Sequence, residues 1–497
     1  MKRYNKLISK IIINIFIFIV LVSTSNVKVF AADNTKSSLE VGKSIVKQYY
    51  IGNVSEATIN GATDMQSLVK SLNDPYSAYF TPEQYNDFTG SINNTFSGIG
   101  ISIGNSLEGI KVVSVFDKTP AKEAGLLLGD IITEADGHAL AGLSSEVATS
   151  YVRGVTGTSV HLGVKRGNII ILFDIIRKAI VLPTVIGTLI DKHIGYISIS
   201  SFGETTATEF KNVHEGLKNN SADSYIVDLR NNGGGYMDTA FDIAGYFIGD
   251  NVVLKVQPKN GTVTNYNVAE KKESIDKPVI FLINHYSASA SEILSAAVKD
   301  YKKALFIGEK TYGKGVAQSM YTLPDKSYLK LTVFKFFSPL GKEINKVGIT
   351  PDLEVIDDAK LGIDSLSAAR ILFSNLSNNA GKSELAEVSL AGGNYKVNLD
   401  VAKAKENINT FKYLETNYIF KPVSAVANIN SNQTLKADTV DVKSVQIIKA
   451  VATSKQLPET GTPYDFYFYI GLGSVVMAAG LIVILKSNIN KKEKNSF

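Results

Sequence analysis

The chain has 497 residues, no cysteine and no tryptophan, and it carries 52 lysines and arginines against 47 aspartates and glutamates. The absence of cysteine excludes a disulfide framework, a thiol nucleophile and a thiolate metal site. The net charge of +5 comes from the two ends, because the 43 basic and 45 acidic residues from 32 to 460 nearly cancel. We therefore expect no nucleic-acid partner.

Residues 1–31 have the pattern of a secretory signal peptide. A basic start from Lys2 to Lys10 is followed by an apolar run over residues 11–22 and by the small-residue cleavage site Val29-Phe30-Ala31. The apolar run is too short to span a hydrocarbon layer of about 30 Å by itself. We expect export and removal of this segment, with an uncleaved anchor as the alternative.

Residues 35–90 are predicted to form a small N-terminal helical subdomain. Apolar residues recur at helical spacing, first at Leu39, Ile45, Val46 and Tyr49 and then at Ala62, Met65, Leu68, Val69 and Leu72. Asn73-Asp74-Pro75 ends the second stretch, because proline cannot continue a helix. We expect a packing role for this subdomain and assign it no part in the chemistry.

Residues 91–180 are β-rich, with strands predicted at 99–103, 111–115, 131–135, 160–166 and 169–175 and short helices after Thr119 and over 144–152. The glycines of Gly98-Ile99-Gly100 let successive main-chain N–H groups converge on a carboxylate, and the next strand can accept a peptide as an added strand. Alone, such a tripeptide is usually a turn. The whole succession resembles a PDZ domain of the bacterial protease type, in which Gly98, Ile99 and Gly100 form the carboxylate-binding loop.

Residues 181–358 alternate strands and helices. Strands are predicted at 194–198, 225–229, 279–283, 304–307 and 328–334, and helices at 207–218, 237–247 and 291–301. This alternation predicts a mixed sheet covered by helices. The pattern is weaker over residues 359–423, a region predicted to be helical or mixed, with helices near 364–376 and 401–414. Residues 424–456 contain no aromatic side chain, which is typical of a stalk or linker.

The serine cluster Ser287-Ala-Ser289-Ala-Ser291-Glu292 and a later lysine between two glycines, Lys314, are the main candidates for chemistry. A neutral lysine can take the proton of a serine hydroxyl, which then attacks a carbonyl group. Gln318 could hold the amine. The alternatives are that Ser289 only caps a helix in a capping box with Glu292, that Lys314 is a solvated turn residue, and that Gln318 is an exposed strand residue.

The glycine-rich segment Asp228-Leu-Arg-Asn-Asn-Gly233-Gly234-Gly235 follows a hydrophobic strand, and its N–H groups could receive an oxyanion. A phosphate-binding turn is the alternative, although neither a Walker lysine nor dinucleotide-binding spacing accompanies it. A pair of His285 with Ser289 must also be considered, since the two are four residues apart. The other histidines show no metal-ligand spacing, so we expect no metal and no cofactor.

Taken in order, the motifs resemble those of the C-terminal processing peptidases, also called tail-specific proteases. These are serine peptidases with a Ser-Lys dyad and an inserted PDZ domain. The resemblance covers about residues 38–355 and includes Asp74-Pro75-Tyr76-Ser77 and Ser338-Pro-Leu-Gly341. It implies an α/β (α+β) peptidase core with a mixed sheet, an inserted β-rich PDZ domain and a small N-terminal helical subdomain.

The same resemblance implies the roles of individual residues. Ser289 is then the nucleophile, Lys314 the general base and Gln318 the residue that orients the lysine. The oxyanion donors are the main chain of Gly233 or Gly234 and of Ala290, and Arg153 is a candidate link between the PDZ domain and the core. The chain departs from the family in having Gly233 where proline is common and Val316-Ala317 before the glutamine, but no catalytic group is lost.

The C-terminal segment Leu457-Pro458-Glu459-Thr460-Gly461 precedes an apolar stretch over about residues 466–485 and a lysine-rich tail. Such a stretch can cross a membrane as a helix, and the lysines hold its end in the cytoplasm. This order resembles the sorting signal read by sortases of Gram-positive bacteria. It implies cleavage between Thr460 and Gly461, so that Gly461 is lost with the membrane span and basic tail of residues 462–497, and attachment to the cell wall, with a plain single-span anchor as the alternative.

These features predict a serine endopeptidase on the cell wall that cuts exported proteins near a free C-terminus held by the PDZ domain. The expected partners are those protein substrates, a sortase and peptidoglycan. Members of the family often dimerise through terminal segments, so a homodimer is left open. The alternative from another functional class is a non-catalytic surface protein that uses the PDZ groove for peptide binding or adhesion.

Overall fold

The computed structural model describes residues 37–375, 384–390 and 393–423. The signal peptide, the stalk, the sorting motif and the apolar C-terminal stretch that the sequence predicts lie outside these residues. Among the helices of the described residues, none has the length and apolar character needed to cross a membrane.

The N-terminal subdomain is helical, as predicted, and it also adds a strand to the core. It consists of α1 (Ser38–Tyr49), α2 (Glu56–Gly61), α3 (Met65–Ser71), β1 (Ala78–Phe80) and α4 (Pro82–Ile92). Ser37, Asp64 and Thr81 cap α1, α3 and α4 through their side chains. Apolar residues of the first three helices pack on the strand Tyr328–Phe337, and this contact attaches the subdomain to the core.

The β-rich domain has its own hydrophobic core and confirms the predicted PDZ pattern. Its elements are β2 (Thr95–Gly98), β3 (Ile101–Ser106), β4 (Gly109–Val115), α5 (Pro120–Ala124), β5 (Ile131–Ala135), β6 (His138–Ala139), α6 (Ser145–Val152), β7 (Ser159–Arg166), β8 (Ile169–Ile176) and β9 (Lys178–Val181). The antiparallel sheet has the order β3-β4-β5-β7-β8, so β3 is an edge strand. Strands β2 and β9 pair antiparallel and connect this domain to the rest of the chain.

The core domain contains two sheets. Its elements are β10 (Val185–Ile190), β11 (Ile194–Ile199), α7 (Thr206–Asn219), β12 (Ser224–Asp228), α8 (Met237–Ile248), β13 (Val252–Pro258), β14 (Thr264–Asn267), β15 (Val279–Ile283), α9 (Ala290–Asp300), β16 (Leu305–Gly308), β17 (Val316–Thr322), β18 (Tyr328–Phe337) and β19 (Leu353–Glu354). The central sheet has the order β10-β11-β12-β15-β16-β19. It is parallel except for β10, which makes it mixed as predicted.

Burial explains why the central strands were recognisable in the sequence. Every residue of β12 and β15 is buried, because helices cover both faces of a sheet of this kind. The second sheet is antiparallel, with the order β1-β18-β13-β14, and β17 also pairs with β18. The glycine-rich loop, Ser289 and Lys314 follow β12, β15 and β16, at the carboxyl ends of parallel strands, where sites in such sheets usually lie, whereas Gln318 lies in β17.

The described residues between 359 and 423 form a second layer on the central sheet. They contain α10 (Ser365–Phe373), β20 (Leu385–Leu390), β21 (Gly393–Asn398), α11 (Leu399–Ala402), α12 (Ile408–Asn417) and β22 (Phe420–Val423). The prediction of one helix near 401–414 was wrong, because α11 and α12 are separate helices. The three strands, which pair in the order β21-β20-β22, were not predicted. Apolar residues of this region share one buried cluster with β11, β12 and β15.

Candidate active site

Ser289 lies at the sharp turn between β15 and α9, in a strained main-chain conformation. Its φ is 56° and its ψ is −114°, a combination that a non-glycine residue adopts only where the surrounding structure enforces it. Such a turn from strand to helix is the way in which α/β hydrolases present a serine nucleophile. This strain is a sign of function that the sequence does not reveal.

The structure separates the three serines of the cluster. Ser287 and Ser291 are fully buried, and their hydroxyls donate to the main-chain carbonyls of Leu229 and Asn232, both at 2.8 Å. Ser289 is only partly buried. The flanking serines therefore hold the turn against the glycine-rich loop, and Ser289 presents the accessible hydroxyl of the cluster.

The glycine-rich loop after β12 lies directly against the serine turn. Asn231 and Asn284 exchange two hydrogen bonds of 2.9 Å, and the N–H of Ala288 donates to the Asn232 carbonyl at 3.0 Å. Gly234 has a φ of +106°, and a Cβ added there would lie 2.8 Å from both the Ala288 carbonyl oxygen and the Ser289 Cβ. Only glycine fits this position.

The main-chain donors near Ser289 differ in their availability. The N–H of Gly234 is already used, because it donates to the Asn232 side chain at 2.9 Å. Within the part of the chain that the structure describes, the N–H groups of Gly233 and Ala290 have no hydrogen-bond partner. Of the three candidate oxyanion donors, the loop therefore leaves two free to bind a substrate oxygen.

Lys314 lies on the loop between β16 and β17, and its amine has an unusual environment. The side chain is half-buried, and Nζ is 4.9 Å from the centroid of the Tyr76 ring. The pKa of this amine is lowered to about 8, mainly by burial and to a smaller extent by the positive charge of Lys330, whereas Glu292 and Asp74 oppose the shift. Neutral amine is therefore available near neutral pH, as a general base requires.

Glu292 connects the serine turn to the lysine loop. Its buried carboxylate accepts hydrogen bonds from the N–H groups of Ser289 at 3.0 Å, Gly313 at 2.6 Å and Lys314 at 2.8 Å. The Thr311 hydroxyl donates a fourth, at 2.6 Å. Burial raises the pKa of this carboxyl group, and these four donors counteract the rise. The capping box of Ser289 and Glu292 that the sequence predicts is present.

The direct contacts expected among the catalytic candidates are not formed in this structure. Among the described residues, no hydrogen bond joins Ser289 to Lys314 or Lys314 to Gln318. Gln318 instead donates to the Thr332 hydroxyl at 3.4 Å and to the Val316 carbonyl at 3.5 Å. Catalytic hydrogen bonds of free enzymes are often long and tighten only when substrate binds.

His285 does not take part in this arrangement. Its side chain is exposed, and Nδ1 pairs with the Glu309 carboxylate at 2.9 Å. The imidazole also lies against the neighbouring Tyr286, with ring centroids 3.8 Å apart. The alternative Ser-His pairing is therefore not formed.

Tyr76, from the N-terminal part of the chain, and Lys330, on β18, complete the surroundings of Lys314, and neither had a predicted role. Tyr76 is fixed by its loop, where its N–H donates to Asp74 at 3.1 Å and the Ser77 hydroxyl receives the N–H of Thr332 at 3.1 Å. Lys330 places its Nζ 4.6 Å from the Phe88 ring centroid. The position of Tyr76 in Asp74-Pro75-Tyr76-Ser77, one of the motifs that carry the family resemblance, is the signal that could have indicated its importance.

An ion-pair cluster anchors the start of the glycine-rich loop. Asp228 is fully buried and accepts from the Tyr196 hydroxyl at 2.7 Å and from the Arg230 guanidinium at 2.6 Å. Arg230 also reaches Asp357 at 2.7 Å and Asp364 at 3.0 Å. The pKa of Arg230 is raised above its ordinary value by these carboxylates, against the effect of burial. Asp364 caps α10, so this cluster joins the start of that helix to the candidate site.

The PDZ candidates lie between the edge strand β3 and the connecting ribbon. Gly98 pairs with Lys178 in that ribbon, Ile99 is buried, and Gly100 has a φ of +85° beside Thr119. Arg153 follows α6, and its guanidinium carbon is 5.7 Å from the centroid of the Phe96 ring on β2. Arg153 therefore contacts the ribbon that leads to the core.

Comparison with known proteins relates these domains to described families. A family model for peptidase family S41 matches residues 193–355, and a PDZ-domain model matches residues 97–176. The carboxy-terminal processing protease CtpA of Bacillus subtilis is 37% identical over 324 residues, which cover 64% of this chain and 68% of that protein. A probable CtpA-like serine protease of Staphylococcus haemolyticus is 35% identical over 320 residues, 63% of each protein.

Among solved structures, a photosystem II D1 C-terminal processing protease aligns with a TM-score of 0.42 at 23% identity. The alignment covers 64% of this chain and 92% of that one.

Proposed function

This chain belongs to peptidase family S41 as a C-terminal processing serine protease with a PDZ domain, and we propose that Ser289 is its nucleophile and Lys314 its general base. The observation that carries this proposal is the strained, partly exposed Ser289 beside two N–H groups without partners. The lowered pKa of Lys314, about 8, adds a base of suitable strength.

The reaction proposed is acyl transfer. Neutral Lys314 accepts the hydroxyl proton of Ser289, whose oxygen attacks the carbonyl carbon of the scissile peptide bond. The N–H groups of Gly233 and Ala290 donate to the oxyanion of the tetrahedral intermediate. The lysine ammonium then gives its proton to the leaving amine, and water hydrolyses the acyl-enzyme with the neutral amine again acting as base. Gln318 is proposed to orient the amine once substrate brings the groups together.

Substrate recognition is proposed to begin at the PDZ domain. Strand β3 is an edge strand, so an extended C-terminal peptide can add to it while its carboxylate meets the loop Gly98-Ile99-Gly100. Arg153, in contact with Phe96 of the connecting ribbon, is proposed to transmit occupancy of this groove to the core. The substrates are then proteins with an accessible C-terminal tail, cut upstream of it.

The cellular location proposed is the outer face of a Gram-positive cell wall. The order of signal peptide, Leu457-Pro458-Glu459-Thr460-Gly461, apolar stretch and lysines supports attachment through Thr460 by a sortase to peptidoglycan. Before that step the protein would be membrane-bound. The substitution Thr460→Ala, which removes the proposed attachment residue of the motif, should move the protein from the wall fraction to the membrane fraction. Unchanged wall attachment would contradict this part of the proposal.

The catalytic assignment is tested with the full-length protein in detergent and a protein substrate that ends in an apolar tail. Ser289→Ala and Lys314→Ala should each abolish cleavage while the protein still melts cooperatively. Ser295→Ala is a matched control, because this buried hydroxyl on α9 has no hydrogen-bond partner and should be dispensable. Normal cleavage by either catalytic variant would refute the assignment. Binding of the tail without cleavage by the wild type would favour the non-catalytic alternative.

A further inference from the structure

The carboxylate of Glu292 is buried and surrounded only by donors. Its Oε1 accepts from the Thr311 hydroxyl and the Gly313 N–H, both at 2.6 Å. Its Oε2 accepts from the N–H of Ser289 at 3.0 Å and from the N–H of Lys314 at 2.8 Å. A carboxylate can accept at all of these positions, whereas an amide would turn an NH₂ group toward other donors.

A single oxygen atom therefore bonds the main chains of the two residues that are proposed to react. We propose that Glu292 is a positioning residue, whose carboxylate fixes the main chain of Lys314 relative to that of Ser289 and supplies a negative charge beside the buried amine. This inference rests on the proposed function. Glu292 itself does not touch the substrate and transfers no proton.

Helix capping alone does not explain this arrangement. A capping box requires the Glu292 side chain to reach only the N–H of its own helix cap, Ser289. Three of the four donors instead belong to the segment from Thr311 to Lys314, which follows another strand of the sheet. The carboxylate thus sets a distance between two loops, and small errors in such a distance slow a reaction strongly.

The charge of Glu292 has a separate effect on the lysine. The carboxylate favours the protonated amine, and so it acts against burial and against Lys330, which both favour the neutral amine. Removing the charge should therefore lower the pKa of Lys314 and move the acid limb of the activity profile to lower pH. A purely structural residue would not shift this limb.

The chain offers a matched control on α7. Glu209 also accepts two main-chain N–H donors, Thr184 at 2.7 Å and Val185 at 3.0 Å. It accepts two hydroxyl donors as well, those of Thr184 and Thr205. It has no hydrogen bond to the proposed catalytic residues. Glu209→Gln therefore makes the same chemical change in the same domain, away from the site.

The experiment compares wild type, Glu292→Gln and Glu209→Gln as full-length proteins, measuring kcat, KM, the pH profile of kcat/KM and thermal unfolding. For Glu292→Gln we expect kcat to fall about 10- to 100-fold, KM to stay nearly unchanged and the acid limb to move to lower pH. For Glu209→Gln we expect wild-type kcat and an unmoved profile. Wild-type kcat with an unmoved profile in Glu292→Gln, or the same changes in Glu209→Gln, would overturn the inference.

A second variant covers the case in which Glu292→Gln does not fold. Glu292→Asp keeps the charge but shortens the reach, so kcat should fall without a shift of the acid limb to lower pH. Wild-type kcat in this variant would also overturn the inference. Ser289→Ala and Lys314→Ala are assayed in parallel. If they cleave normally, the proposed function fails, and if they are inactive while both Glu292 variants keep wild-type kcat, only this inference fails.

Discussion

The ring of Tyr76 lies beneath the ammonium group of Lys314, with 4.9 Å between Nζ and the ring centroid. The two residues belong to distant parts of the chain, and Tyr76 comes from the loop that follows the N-terminal helices. The subdomain to which the sequence assigns only a packing role thus contributes a wall of the candidate site. Its attachment to β18 fixes that wall in place.

Replacement of Tyr76 should change the basicity of Lys314. In Tyr76→Ala the cation–π contact is lost, and this loss lowers the pKa of Lys314. Water also enters the space of the ring, and hydration of the ammonium group raises the pKa. Burial is the largest cause of the present shift, so the net effect should be a rise. We expect the acid limb of the kcat/KM profile to move to higher pH. Tyr76→Phe keeps the ring and should leave the limb in place, whereas equal profiles for all three proteins would contradict the prediction.

The wild-type enzyme should lose activity as the pH falls through about 8. Lys314 acts as a base only when neutral, and its lowered pKa of about 8 sets the midpoint. Below the midpoint kcat/KM should fall about tenfold per pH unit, and above it the value should level off. The check is a profile from about pH 6 to 10 at constant ionic strength. A midpoint near 10.5, the ordinary value for a lysine, would show that the amine is not buried in the working enzyme.

A methyl group at Gly234 should disable the site. In Gly234→Ala the new Cβ would lie 2.8 Å from the Ala288 carbonyl oxygen and 2.9 Å from the Ala290 nitrogen, at a φ of +106°. The serine turn must shift, and we expect kcat to fall about 100-fold.

Gly216→Ala is the matched control for that change. Gly216 lies within α7 and has no neighbouring atom within 4 Å of an added Cβ. This variant should keep full activity and gain about 0.5–1 kcal/mol of stability, because alanine favours the helix. Similar losses of kcat in both glycine variants would show that the effect at Gly234 is not local.

Loss of the Arg230 guanidinium should destabilise the fold. Arg230→Met leaves the fully buried Asp228 with the Tyr196 hydroxyl but without its cation. Breaking a buried ion pair in this way costs about 3–5 kcal/mol in the free energy of unfolding. Chemical denaturation measures this loss. The exposed pair of Lys211 and Glu215, 3.9 Å apart, provides the control, since Lys211→Met should change stability by less than about 1 kcal/mol.

The sequence predicts the elements of the core well, and for a physical reason. Strand β15 is a continuous apolar run, and the three central residues of β12 are apolar, because both faces of the sheet are covered. Helices α7, α8 and α9 are separated by these strands and by loops, so their positions were clear from the sequence. Strands β20, β21 and β22 contain exposed and half-buried residues, so they form no continuous buried run and the local pattern did not reveal them. The break between α11 and α12, where Asn407 donates to the Val401 carbonyl, was missed in the same way.

Prediction of the site depended on a different kind of information. Local sequence could not choose among the three serines or separate catalysis from capping at Ser289, and the resemblance to a family made that choice. The roles proposed for Tyr76 and Glu292 arise from contacts between segments that are far apart in the chain or in different loops. The main-chain strain at Ser289 is likewise imposed by its surroundings, so no residue pattern in the sequence predicts it.

The antiparallel pairing of β2 with β9, in which Thr95 lies opposite Val181, means that the chain enters and leaves the PDZ domain at neighbouring points. Everything between them forms a module on a two-stranded stem, with a hydrophobic core of its own. Insertions are tolerated where the ends of a module lie close together. A different recognition module with adjacent termini could occupy the same stem without rerouting any strand of the catalytic sheet, so selectivity and chemistry can diverge separately in such proteins.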